Sequence, residues 1–150
     1  YEKRKMTEIL PHSGIIKQNI HYFPVRVYYE DTDVGGVVYN TNYLKFMERA
    51  RSEMLRCLGI DQKRMLDYND PQDVGFVVKR TMVDFNGSAE FGDSLIVESE
   101  ITRFGGASVT FKQTIKRDNK ILAIAENKIA AVGQNGKPKR LPAAIKNKFE

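Results

Sequence analysis

The sequence predicts an α+β fold: a curved antiparallel sheet of about five strands wrapped around one long helix. Three observations carry this. The window 42–58 holds an apolar stripe of helical period. Strand-like segments follow it, joined by short turns, which favours antiparallel neighbours. The chain has 150 residues, 41% of them hydrophobic, which suits one domain with one core.

The elements follow in chain order. Residues 1–20 are polar and without a sustained period, and are expected to form a tail. Residues 21–150 make the single domain. Between Phe23 and Tyr29, Val25, Val27 and Tyr29 alternate with Arg26 and Tyr28, a strand period. A loop with Gly35-Gly36 leads into the helix. There Tyr43, Met47, Ala50, Met54 and Leu58 recur at spacings of three and four. Asn40, Thr41 and Asn42 are N-cap candidates, and Gly59-Ile60 is a C-cap pair. After an Asp- and Lys-rich loop, Val74, Phe76 and Val78 alternate, followed by Val83 and Phe85. Leu95, Val97 and Ile101 mark the next strand, and Gly105-Gly106 turns it into Ser108–Ile115. Asp118-Asn119 is a hairpin signal before a last strand, Ile121–Val132, which Asn135-Gly136 ends.

Charge and cysteine content exclude several functions. The net charge is +5, but its distribution is uneven. Residues 1–20 carry +2, residues 134–150 carry +4, and the stretch between is −1. A nucleic-acid binder, which needs a broad basic face, is disfavoured. The basic ends are expected to meet an anionic partner. Cys57 is the only cysteine, so there is no intrachain disulfide and little basis for a zinc site. The free thiol suits a reducing, cytoplasmic compartment. No apolar run reaches the roughly 18 residues of a membrane span, and residues 1–20 lack the apolar core of a signal peptide.

The chemistry is concentrated in residues 28–43, where Glu30, Asp31 and Asp33 lie with Gly35-Gly36 between a strand and a helix start. A calcium-loop reading fails because Gly35 stands at the third ligand position and Asn42 where Glu is needed. A phosphate-loop reading fails for want of G-x-x-x-x-G-K. What remains is a carboxylate near a helix N-terminus, whose free N–H groups favour a developing oxyanion. These are the minimum parts for hydrolysing an activated acyl group. From the residues alone, a turn-capping role for Asp31 or Asp33 competes on equal terms.

The run Val25-Arg26-Val27-Tyr28-Tyr29-Glu30-Asp31-Thr32-Asp33, Gly35-Gly36-Val37-Val38-Tyr39 and Tyr43, followed by Glu48-Arg49-Ala50-Arg51, resembles the hotdog-fold acyl-CoA thioesterases of the 4-hydroxybenzoyl-CoA thioesterase type. It is most similar to their bacterial Tol-Pal-associated, YbgC-like branch. The likeness continues through Gly75-Phe76-Val77-Val78 and Leu141-Pro142. It implies hydrolysis of acyl-CoA with Asp33 as nucleophile or general base. The Asn40 backbone N–H would polarise the thioester carbonyl, although many relatives carry His at that position. It also implies homodimers that assemble into homotetramers, with the site at the subunit interface. Coenzyme A enters as part of the substrate, with no separate cofactor and no metal.

Other residues have rival readings. Glu48 resembles the helix acid of a related hotdog group, but its spacing also suits an ion pair with Lys45 or Arg51. Glu53 is spaced to pair with Arg49. Tyr43 and Phe76 are candidates for an acyl pocket or for plain core. Lys79, Arg80, Arg103, Lys139 and Arg140 are candidates for the coenzyme A phosphates. The C-terminal cluster would alternatively dock an acyl carrier protein or anionic lipid. Its removal after Gly136 is expected to weaken substrate binding or docking more than turnover. Cys57 is expected to be buried, and His12 and His21 to lie in solvent or at an edge. A hydratase or dehydratase of the same fold, or a non-catalytic acyl-carrier or membrane-biogenesis adaptor, is the alternative to hydrolysis.

Overall fold

The computed structural model describes residues 9–149. In chain order they form β1 (Ile15–Lys17), β2 (Ile20–Arg26), a 3-10 turn (Tyr29–Asp31), α1 (Asn40–Cys57), α2 (Gln62–Met65), β3 (Gly75–Phe85), β4 (Ser94–Phe104), β5 (Ser108–Arg117), β6 (Lys120–Val132) and α3 (Ala143–Phe149). All six strands join one antiparallel sheet in the order β1-β2-β4-β5-β6-β3. The strand that follows the helix therefore ends at the far edge from β1. No helix among the described residues is long and apolar enough to cross a membrane.

The helix begins two residues before the expected window. Its N-cap, Tyr39, offers no side-chain hydrogen bond. Its C-terminus closes as the glycine predicts. Gly59 takes φ 79°, its N–H donates to Arg56 O, and Ile60 N–H reaches back to Leu55 O. α1 buries Tyr43, Phe46, Met47, Ala50, Met54 and Leu55. Each of the larger ones contributes about 1.5–3 kcal/mol over leaving it in water.

The sheet meets this helix with a period of two. On β5, Val109, Phe111, Gln113 and Ile115 face inward, and on β6, Ala123, Ala125, Asn127, Ile129 and Ala131 do so. The buried apolar residues divide into two clusters. One gathers around Tyr43, Phe46 and Met47 and the other around Met54, Leu55 and Phe111. A polar seam lies on the inner face with them. Gln113 Nε2 donates to Met47 O and Ser99 Oγ, both at 2.9 Å. Its Oε1 accepts from Arg51 Nη1 at 2.9 Å and Asn127 Nδ2 at 2.8 Å.

Part of the expected tail is sheet. Residues 1–8 lie outside the described residues, but Ile15–Lys17 pairs with β2 through a two-residue turn. Gln18 and Asn19 take φ 53° and 66°, the left-handed pair that such a hairpin needs. Three residues with exposed side chains carry no period to read. This hairpin also corrects the reading of His21, which is fully buried, stacked on Phe23, with Nε2 2.7 Å from Ser13 O. Gly14, at φ 78°, lies so close that a Cβ there would collide with Tyr22 O. Cys57, by contrast, is exposed, its thiol donating to Ser13 O at 3.3 Å. Glu53 pairs with Arg56 at 3.0 Å and accepts from Ser13 Oγ, leaving Arg49 aside.

Burial lowers the His21 pKa from the ordinary 6.5, against the opposing pull of the Ser13 carbonyl and of Glu53. His21 Nδ1 is buried with no partner among the described residues. The fold therefore holds neutral imidazole. As pH falls below 6.5, the unfolded chain takes up a proton before the native state does, so stability drops. Urea midpoints measured between pH 5 and 8 should fall on the acid side, and His21→Gln should flatten that slope.

Candidate active site

The loop between β2 and α1 folds back on itself. Thr32 bridges Val38, Asp33 N–H donates to Val37 O at 3.0 Å, and Tyr39 N–H donates to Asp31 O at 3.3 Å. Gly36 N–H closes a turn on Asp33 O, and Gly36 takes φ 80°. This is a tight hairpin that requires glycine at its left-handed position. The motif is thereby brought back toward the first residue of α1.

The two aspartates have different surroundings. Asp31 is buried; its Oδ2 accepts from Tyr28 N–H at 2.8 Å and its carbonyl from Asn42 Nδ2 at 2.7 Å. It holds the turn together. Asp33 is exposed, and one oxygen, Oδ1, accepts from Gly35 N–H at 2.8 Å. Its other oxygen has no partner among the described residues. A Cβ on Gly35 would stand 3.2 Å from Oδ1, so glycine leaves that carboxylate its place. Asn40 is the first residue of α1, and its N–H has no acceptor among the described residues. Asn42, an N-cap candidate by sequence, turns its amide to the loop instead.

A cavity of about 310 Å³ lies elsewhere, between the middle of α1 and strands β3, β5 and β6. Glu48 and Phe76 line it, and Asp33, Asn40 and Tyr43 do not. Glu48 forms no ion pair among the described residues, so neither Lys45 nor Arg51 neutralises it by contact. Tyr43 is core rather than pocket. It is 1% exposed, and its Oη accepts the Ala89 N–H at 2.8 Å. Burial pushes its phenol pKa up. Sequence reasoning passed over Arg51, which lines the cavity and whose guanidinium burial pushes down in pKa against the raising effect of Glu48. Its i,i+3 spacing from Glu48 pointed only to an ion pair. No three His, Cys, Asp or Glu side chains gather as a metal site among the described residues.

The basic candidates separate. Strand register places Arg103 opposite Thr110, Thr110 opposite Lys128, and Lys128 opposite Arg80, so three cations share one row across the sheet. Lys79 sits at the β3 bulge beside them. Lys139 is engaged, its Nζ donating to Asp73 O at 2.7 Å. Asp73 in turn takes a two-pronged contact from Arg64, whose hydrogen bonds hold its carboxyl below the usual carboxylate range. Arg140 is exposed.

Fold and motif together define a single-chain α+β unit of the hotdog thioesterase class. The sequence profile of the thioesterase superfamily matches residues 35–124, more than half the chain, and the chain belongs to that superfamily. Its relatives include an acyl-CoA thioesterase YbgC from Haemophilus influenzae, 44% identical over 128 residues, covering 85% of this chain and 92% of that protein. The acyl-CoA thioester hydrolase YbgC of Escherichia coli O6:H1 is 41% identical over 130 residues, covering 85% and 94%. A solved probable thioesterase from Bartonella henselae superposes with a TM-score of 0.78 at 36% identity, covering 82% of this chain and 99% of that one.

The C-terminal segment is not a detachable basic tail. Leu141 and Ile145 are buried in the second cluster, and Phe149 packs on Phe104 and Phe111 at 5.7 and 6.5 Å between centroids. Truncation after Gly136 removes these side chains at about 2–5 kcal/mol for each large buried one. The truncated chain should lose most of its stability in a urea titration, so any loss of substrate binding would follow from unfolding.

Proposed function

We propose that this protein hydrolyses acyl-CoA thioesters to a carboxylic acid and coenzyme A, with Asp33 as the reacting carboxylate. The observation that carries the reading is the contrast between the two aspartates. Asp31 is occupied in the turn, while Asp33 presents an oxygen without a partner among the described residues, on a hairpin that returns to the start of α1. The names of the YbgC relatives support the substrate class.

The Asn40 N–H, at the positive end of α1, receives the thioester carbonyl oxygen and stabilises the oxyanion as it forms. The Asn40 side chain has no part in this, so the absence of histidine there leaves the donor intact. On one route Asp33 takes a proton from water while the hydroxide oxygen adds to the carbonyl carbon. The C–S bond then breaks, and the departing thiolate recovers the proton as free thiol. On the other, Asp33 itself adds and the C–S bond breaks, giving an anhydride and the coenzyme A thiolate; water then opens the anhydride, and a proton it releases passes to the thiolate. Single-turnover hydrolysis in ¹⁸O-water tests the second, because only an anhydride opened at the aspartyl carbon puts a labelled oxygen into Asp33.

Thiol release from a panel of acyl-CoAs tests the assignment. Asp33→Asn should lower kcat by about 10²-fold or more, and Glu48→Gln should change it only a few-fold. Full activity in Asp33→Asn with loss in Glu48→Gln would move the chemistry to the helix acid. The row formed by Arg80, Arg103 and Lys128, with Lys79 beside it, is proposed for the phosphates of the coenzyme, since Lys139 is engaged by the Asp73 carbonyl.

A second copy of the chain accounts for the exposed edge. β3 is an eleven-residue edge strand on which Val77, Val78 and Met82 are 48%, 52% and 57% exposed. An apolar edge of this length is a pairing surface. Light scattering should give at least twice the 17.2 kDa chain mass, and Met82→Lys should shift the population toward single chains.

A further inference from the structure

The start of α1 is steadied without a cap. Tyr39 stands at the N-cap position and offers no side-chain hydrogen bond. A Ser, Thr, Asp or Asn there would steady the helix but would also occupy one of its free N–H groups. Two side chains of the first turn, Asn42 and Tyr43, reach outward instead. Asn42 Nδ2 donates to Asp31 O at 2.7 Å, and Tyr43 Oη accepts from Ala89 N–H at 2.8 Å. Neither bond uses an N–H of the helix.

Both bonds lead to the Asp33 hairpin, one to each leg. Asp31 O also accepts from Tyr39 N–H at 3.3 Å, so Asn42 ties α1 to the first leg where the two legs pair. Ala89 lies in the loop between β3 and β4, and its carbonyl accepts from Val38 N–H at 2.9 Å. That one residue, fully buried, therefore joins the second leg to the helix. The same loop holds the turn of the hairpin: Phe91 N–H donates to Gly36 O at 3.1 Å, and Glu90 bridges Val37. Arg117 keeps the loop in shape, its Nη1 donating to Ser88 O at 3.0 Å and to Asp93 Oδ2 at 2.8 Å. The Tyr43 ring packs on Phe46 and Phe85 at 6.2 and 5.8 Å between centroids, which holds its hydroxyl in place.

We propose that Asn42 and Tyr43 are positioning residues for the reaction, and that their two hydrogen bonds hold the Asn40 N–H in register with the Asp33 carboxylate. This rests on the hydrolytic reading and assigns the side chains that keep its two parts together. Any roll of the helix start on the hairpin moves the Asn40 N–H against Asp33. A misplacement of about 1 Å costs up to about 10²-fold in rate. The contact with the N–H strengthens as the oxyanion forms, so loosening it lowers kcat and spares KM.

The test measures thiol release from acetyl-, hexanoyl- and benzoyl-CoA by wild type, Tyr43→Phe, Asn42→Ala and Val74→Ala, with circular dichroism to confirm folding. Tyr43→Phe deletes one oxygen and leaves the ring. Val74, fully buried in the second cluster, is the control for lost stability alone. On the fastest substrate, Tyr43→Phe and Asn42→Ala should each lower kcat by about tenfold with KM within about threefold. Val74→Ala should hold kcat within about twofold, since the folded state stays in large excess. Asn42 is half-buried, so Asn42→Ala carries the comparison if Tyr43→Phe does not fold. The second readout is hydrogen–deuterium exchange of peptides covering residues 31–42, set against those of β5 and β6. In both variants exchange over 31–42 should speed by about tenfold while β5 and β6 stay as in wild type, and Val74→Ala should show no such local change. If wild type cleaves none of the three thioesters, the hydrolytic reading alone fails, and faster or unchanged exchange over 31–42 decides for or against the two tethers. A kcat within about twofold of wild type in both folded variants overturns the proposal. So does unchanged exchange over 31–42, or an equal loss of kcat in Val74→Ala, which would assign the effect to stability.

Discussion

The carboxamide of Gln113 lies on the inner face of β5 beneath α1, with its hydrogen-bonding positions taken by four different partners. Two are side chains of neighbouring strands, Ser99 on β4 and Asn127 on β6. The other two belong to the helix: the Met47 carbonyl and the Arg51 guanidinium. Asn127 extends the chain to Thr81 on the edge strand at 2.8 Å. A half-satisfied buried network would be worse than an apolar core, but this amide is satisfied throughout. Apolar packing alone lets a helix slide or roll on a sheet at little cost. A directional amide does not, so the helix has one position along the strands.

That position governs everything functional. It sets where α1 begins relative to the Asp33 hairpin, since the helix start cannot move without breaking the seam. It leaves the sheet on the β5, β6 and β3 side partly uncovered, which opens the cavity. It also holds Arg51 in the cavity wall. At the helix start the same economy appears in the loop, where Asp31 and Asn42 close the turn from inside and Asp33 is left facing outward.

Much of the fold was legible in the residues. The α1 stripe, the Gly59-Ile60 cap, the Gly105-Gly106 turn and the four later strands each depend on local period or on a backbone that only certain residues adopt. β1 was not legible, because three exposed residues carry no period and the turn uses Gln18 and Asn19, not glycine. The C-terminal segment was misread from charge. Its lysines are conspicuous, but Leu141, Ile145 and Phe149 decide its place by filling the second core cluster. Likewise His21 looked like a strand-edge residue until the β1 hairpin covered it.

By itself, the sequence determined the class of the protein, the helix and its boundaries to within two residues, and the segment where a carboxylate meets a helix start. Those are properties of short windows, fixed by side-chain spacing and backbone preference. Only the tertiary structure decided which aspartate is occupied and which is exposed, and that Tyr43 is core while Glu48 and Arg51 share a cavity. It likewise gathered Arg80, Arg103 and Lys128 into one row. The aspartates are sorted by bonds 3 and 11 positions apart; the other choices rest on hydrogen bonds 46 and 62 positions apart, at Tyr43 and Arg51, and on a strand order that sends β3 to the far edge. No local pattern encodes these others, because their energy arises only when distant segments are already in contact.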